Sequence, residues 1–169
     1  MTDSRDGNAG AVQRVAMGIE YDGTGFSGWQ MQHHARSVQQ CLEHAIGAVA
    51  DHPVRVHCAG RTDTGVHGLG QVVHFDSNAQ RTRRSWLLGT NANLPDDVAV
   101  RWALPVAPEF HARFSAAGRH YRYLILCRPA RSALWRSRAV WTHRRLELAP
   151  MREAASAPVS YTHLTLPTN

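Results

Sequence analysis

Polar and apolar positions alternate from residue 14 to 21. Val15, Met17, Ile19 and Tyr21 fall on one face, which predicts a half-buried strand. The loop DGTGFSGWQ follows, and Ser37 then opens a helix. With Gln40 it makes a capping box, in which each side chain satisfies a free backbone N–H. Val38, Cys41, Leu42, Ala45, Ile46 and Val49 recur at helical spacing, and Pro53 closes the segment. Val54, Val56 and Cys58 alternate with Arg55 and His57 as a second strand. QVVHF, 71–75, reads as a third strand, 85–91 as a short helix, and DVAVRWAL, 97–104, as a fourth strand. GRHYRYLILC, 118–127, reads as one more, long strand. The order β-α-β-β-α-β with a strand appended predicts an α+β, ferredoxin-like arrangement: an antiparallel sheet with helices on one face.

The 169 residues suffice for one domain with a real core or for part of a larger one, and the 43% hydrophobic content is that of a soluble globular protein. No apolar run is long enough to span a membrane. Residues 1–13 are polar and carry two aspartates in MTDSRDGNAG, which predicts a disordered leader rather than a secretory signal or transit peptide, and a cytoplasmic protein. Residues 146–155 begin as a helix, with Pro150 in its first turn, and then run into SAPVSYTHLTLPTN. That ending, 156–169, has no helical period and reads as an aberrant tail on a domain of residues 14–155.

Net charge is +6, and the basic residues are arginines, whose planar fork suits phosphate; a nucleic-acid partner is favoured. The three cysteines, Cys41, Cys58 and Cys127, form no CxxC and sit at apolar positions of the expected elements. Neither they nor the eleven histidines have metal-ligand spacing, so no metal site is expected.

Two glycine motifs carry candidate chemistry. GTGFSG, 23–28, matches GxGxxG after a strand, but eight residues separate Gly28 from the Ser37 cap. A dinucleotide fingerprint needs the helix to start at the third glycine, so a glycine loop beside a site is the better reading. AGRTDTGVHGLGQ, 59–71, holds Asp63 among glycines, two residues after Arg61 and four before His67. DTG is also the aspartic-protease signature, in which two carboxylates share a proton; a guanidinium so close favours an ionised acid instead. The plainest alternative makes Asp63 a turn residue that caps nearby N–H groups.

Five longer segments weigh against that alternative. IEYDGTGFSGWQ, RSVQQCLEHAI, AGRTDTGVHGLGQVVHF, NANLPDDVAVRW and FHARFSAAGRHYRY together resemble the TruA family of tRNA pseudouridine synthases, in the family's order. The resemblance implies half of a pseudouridine synthase fold. It also implies an isomerase that breaks the N1–C1′ bond of uridine and rejoins the base through C5. No cofactor is implied, because the substrate contains every atom of the product. Carried over, Asp63 is the catalytic acid and Tyr121 stacks on the substrate base. Arg61 keeps Asp63 ionised or holds an RNA phosphate. Phe110, His111, Ala112, Arg113 and Phe114 match a segment used against tRNA. The implied substrate is the anticodon stem-loop, at uridines 38, 39 and 40, bound by a homodimer. A family chain continues for roughly another hundred residues, a half-domain in size, so the chain as written is expected to be inactive by itself. An RNA-binding module without catalysis is the second reading.

Overall fold

The computed structural model describes residues 11–156. The first ten residues of the expected leader and nearly all of the expected tail lie outside the described residues. The chain divides into two units, Met1–Tyr121 and Arg122–Asn169.

In the first unit β1 (Gln13–Tyr21), α1 (Val38–Ala50), β2 (His57–Cys58), β3 (Gly68–Ser77), α2 (Arg83–Asn93) and β4 (Val98–Val106) follow in the expected order. The sheet runs β2-β3-β1-β4, with every neighbouring pair antiparallel. This is the ferredoxin-like arrangement. The alternation in β1 explains its central place. Val15, Met17, Ile19 and Tyr21 join Val73 and Phe75 of β3 and Val98, Val100 and Ala103 of β4 in one core, closed by Val38, Leu42, Ile46 and Ala50 of α1 and Trp86 of α2. Truncating a buried residue of this kind, such as Leu42 or Phe75, costs about 2–5 kcal/mol. The β1–β4 register shifts between Gly18 and Ile19, so Arg101 and Trp102 both stay exposed while Val100 and Ala103 still face the core. The outer edge of β4 is partly covered: the Asn91 side chain donates to Val100 O at 2.9 Å and accepts from Val100 N at 2.8 Å.

Helix caps follow the sequence. Ser37 Oγ accepts from Gln40 N at 3.3 Å, one half of the expected capping box, while the Gln40 side chain makes no return bond to Ser37 N among the described residues; Thr82 Oγ1 accepts from Ser85 N at 3.0 Å. Helix α1 ends on Asp51 in the left-handed region, at φ 62°. The second strand is shorter than the expected 54–58. Val56 N donates to Glu43 Oε1 of α1 at 3.0 Å instead of to a neighbouring strand, and pairing with β3 begins only at His57.

The second unit corrects the expected long strand over 118–127. Only Ile125–Cys127 (β5) is extended and paired, lying parallel to Val140–Thr142 (β6). Alternation makes a strand only where the backbone finds a partner; Leu124 O accepts from Val140 N of β6 at 2.9 Å, and residues 118–123 join no strand among the described residues. Helix α3, Leu148–Ser156, holds Pro150 in its first turn, where a missing N–H costs nothing. Among the described residues no helix is long and apolar enough to cross a membrane.

Candidate active site at the Asp63 loop

The Asp63 loop leaves β2 and returns as β3, and it is held by its backbone. Ala59 N donates to Val72 O at 2.8 Å, which fixes the start of the loop to the sheet. The Gln71 side chain bonds both Gly60 N and Gly60 O. A second loop, the GTGFSG segment, laces the middle. Trp29 N donates to Thr62 O at 2.9 Å, and Gly65 N donates to Phe26 O at 3.4 Å. Tyr21, at the end of β1, bonds Thr62 Oγ1 through its hydroxyl at 2.8 Å, and burial pushes that phenol's pKa up. Gly23 N donates to His67 Nδ1 at 3.2 Å, which uses the histidine four residues after the acid as a tie between the loops.

Gly28 explains why the second loop needs its third glycine. Its φ is +93°, and a Cβ there would sit 2.8 Å from Thr62 O, a backbone atom that cannot swing away. Gly23 offers space for a similar reason, since a Cβ there would lie 2.1 Å from Val66 O. The GxGxxG match therefore serves close approach between two loops. It does not cradle a pyrophosphate: its glycines form a 3₁₀ turn, and the next helix starts only at Val38.

This scaffold leaves the Asp63 side chain exposed on a cavity of about 420 Å³ lined by Trp29, Gln30, Gln32, Arg61 and Thr62 among others. Among the described residues its carboxylate takes part in no hydrogen bond or ion pair, and Arg61, exposed on the same cavity, is not paired with it. Asp22 shows what a turn aspartate does. Its Oδ1 accepts from Thr24 N at 3.0 Å and caps the 3₁₀ turn. Asp63 contributes only its backbone carbonyl, to Val66 N at 3.2 Å.

Tyr121 comes to the same loop. It is 71% exposed, and a Cβ on Gly60 would be 3.8 Å from its hydroxyl oxygen. The 110–114 segment divides. Ala112 is buried, and its N–H donates to His74 Nδ1 at 3.1 Å. Phe110 and His111 pack their rings around His74, at centroid distances of 6.1 and 4.6 Å. The free surface of the segment is Arg113 and Phe114, with the guanidinium 5.8 Å over a ring that is 77% exposed. Ala112 thus anchors the segment, and only its last two residues are fully open to solvent.

A larger cavity, about 570 Å³, opens beside Arg36, Cys41 and His44. It is less suited to chemistry. Arg36 is occupied by a two-pronged pair with Asp97, at 2.6 and 2.8 Å, and burial pushes the Cys41 thiol up, away from the reactive thiolate. Among the described residues no group of three or more His, Cys, Asp or Glu side chains is arranged to hold a metal ion. Sequence reasoning singled out Arg61 and Asp63, which line the smaller cavity, and Tyr121, whose hydroxyl lies beside Gly60 of the same loop. It missed Tyr21, Gln71 and Arg119 as supports, because their bonds to the loop cross 11 to 60 residues of chain and leave no local pattern.

Residues 17–115 match the family model described as tRNA pseudouridine synthase. The tRNA pseudouridine synthase A of Alcanivorax borkumensis is 59% identical over 155 residues, covering 91% of this chain and 58% of the relative. That of Dechloromonas aromatica is 59% identical over 141 residues, 83% of this chain and 54% of the relative. That of Methylococcus capsulatus is 54% identical over 143 residues, 85% and 53%. The chain spans about half the length of the curated relatives it matches. The matched region contains both interlaced loops, the whole four-stranded sheet beyond the first residues of β1, and the 110–114 segment, and the chain belongs to the tRNA pseudouridine synthase family.

Proposed function

We propose that Asp63 is the catalytic carboxylate of a tRNA pseudouridine synthase acting on uridines 38, 39 and 40 of the anticodon stem-loop. The observation that carries the reading is the contrast between the two aspartates. Asp22 spends its oxygen on a turn, while Asp63 sits on an equally turned loop with its carboxylate unused, facing a cavity. The cavity volume, about 420 Å³, lies within the roughly 300–1,000 Å³ range of ligand pockets.

The chemistry asks for one ionised acid. The N1–C1′ bond of uridine breaks, the base turns over, a C5–C1′ bond forms, and the hydrogen on C5 leaves as a proton while N1 gains one. Whether Asp63 attacks the sugar or the base, or removes a sugar proton, it starts as a carboxylate. The target base must leave its stack to reach the loop. Tyr121, exposed beside Gly60, offers its ring face to that base. Arg61 on the cavity and Arg113 beside Phe114 are free to hold phosphates. The same reading includes a cytoplasmic homodimer with tRNA lying across both copies. A full-length protein that sediments only as a monomer would remove the dimer from it.

The test uses tRNA carrying tritium at C5 of uridine. The full-length protein is expected to release tritium to water with no added cofactor, and only from uridines of the anticodon stem-loop. Tight tRNA binding without release would support a binding module in its place.

A further inference from the structure

We infer that Arg119 is a positioning residue that fixes Tyr121 and the 110–114 segment against the Asp63 loop; the inference rests on the assignment of that loop to catalysis. Arg119 Nε and Nη2 both donate to Ala59 O, at 3.0 and 2.6 Å, and Nη2 also donates to Arg113 O at 3.1 Å. One planar guanidinium therefore joins two carbonyls 54 residues apart in sequence. Ala59 is held from its other side by the sheet through Val72 O, so the clamp closes on a fixed point. Residues 118–124 belong to no strand, so no backbone ladder orients Tyr121. The side chain two residues before it supplies the anchor instead.

Gly60 makes room for this arrangement. A Cβ there would lie 3.2 Å from Arg119 Nε and 3.3 Å from its Cδ, with the Tyr121 hydroxyl 3.8 Å away. The guanidinium and the stacking ring thus share the small platform between Ala59 and Arg61. The geometry needs a fork: lysine offers one point of charge and cannot serve both carbonyls with the same planar donors. Because the partners are neutral carbonyls, the arginine acts here through direction, and among the described residues no acid pairs with its charge.

The experiment measures single-turnover tritium release at saturating tRNA, together with tRNA affinity and thermal unfolding, for the full-length wild type, Arg119→Lys, Arg119→Gln and Gly60→Ala. Active wild type is required first; an inactive wild type sinks the catalytic assignment rather than the clamp. Given activity, Arg119→Lys is expected to lower the rate at least tenfold while tRNA affinity stays within threefold and the protein remains folded. Gly60→Ala, which crowds the guanidinium from below, is expected to lower the rate in the same sense. Arg119→Lys at the wild-type rate would overturn the inference, because charge alone would then suffice. A loss confined to tRNA affinity would mark a phosphate contact, and a loss confined to thermal stability a structural bond; either overturns it as well. If Arg119→Gln fails to fold, Arg119→Lys and Gly60→Ala decide the matter.

Discussion

Acidification should weaken this fold through one buried imidazole. His74 is 2% exposed, and its Nδ1 accepts the Ala112 N–H, which requires the ring to be neutral at that nitrogen. Its pKa is lowered from 6.5 to about 4, first by burial, then by the positive charge that His111 and His57 would bring, and by Arg14; Asp76 works in the other direction. The sign follows from linkage. Between about 4 and 6.5 the unfolded chain binds a proton at this site and the folded chain does not. Stability therefore falls as pH falls through that window, by about 1.4 kcal/mol per pH unit at most. Over the whole window the loss approaches about 3 kcal/mol. The Arg14–Asp76 pair at 2.7 Å acts lower on the scale: its hydrogen bond holds the Asp76 carboxyl below the usual range, and its contribution goes only as that group is protonated. Urea unfolding from pH 7 to 4, followed by the fluorescence of buried Trp29 and Trp86, measures the slope. His74→Gln keeps an acceptor for Ala112 but does not titrate, and its slope should be shallower by the amount above. Equal slopes in the two proteins, or an NMR titration of His74 near 6.5, would refute the reasoning.

Three further outcomes follow from the same geometry. Gly28→Ala forces a side chain onto a φ of +93° and to 2.8 Å from Thr62 O, so it should destabilise by about 1–3 kcal/mol in thermal unfolding; an unchanged Tm would contradict the interlaced loops. Tyr121→Phe should keep most of the turnover and Tyr121→Ala should lose the equivalent of about 1–3 kcal/mol, whereas equal losses would assign the work to the hydroxyl. Affinity for tRNA should fall steeply with salt, and Arg113→Ala should reduce the slope of log K against log[salt] by about one; a flat response would speak against phosphate contact.

The elements with a strong internal pattern were legible in the sequence. The strand through Val15, Met17 and Ile19 and the helix capped by Ser37 stand where alternation and helical spacing predict. The misses share one cause: a period of two reports which way side chains point and nothing about the backbone's partner. Val56 looks like a strand residue but gives its N–H to Glu43, and 118–123 alternates without joining a strand among the described residues. The site divides along the same line. Arg61 and Asp63 lie two residues apart in sequence and were found together. The supports are not adjacent to anything they hold: Tyr21 reaches Thr62 across 41 residues and Arg119 reaches Ala59 across 60. The resemblance named Tyr121, while periodicity alone would have left it in a strand core, and it is in fact exposed.

The most direct test of the account is Asp63→Asn in the full-length protein, assayed by tritium release from C5-labelled tRNA. The substitution preserves size and removes the charge. The carboxylate makes no bond to the rest of the fold among the described residues, so Tm and tRNA affinity should stay close to those of the wild type. Release should fall to background, because every route through this loop begins with an ionised acid. Turnover retained in Asp63→Asn, with folding intact, would contradict the assignment of Asp63 and the proposed function built on it.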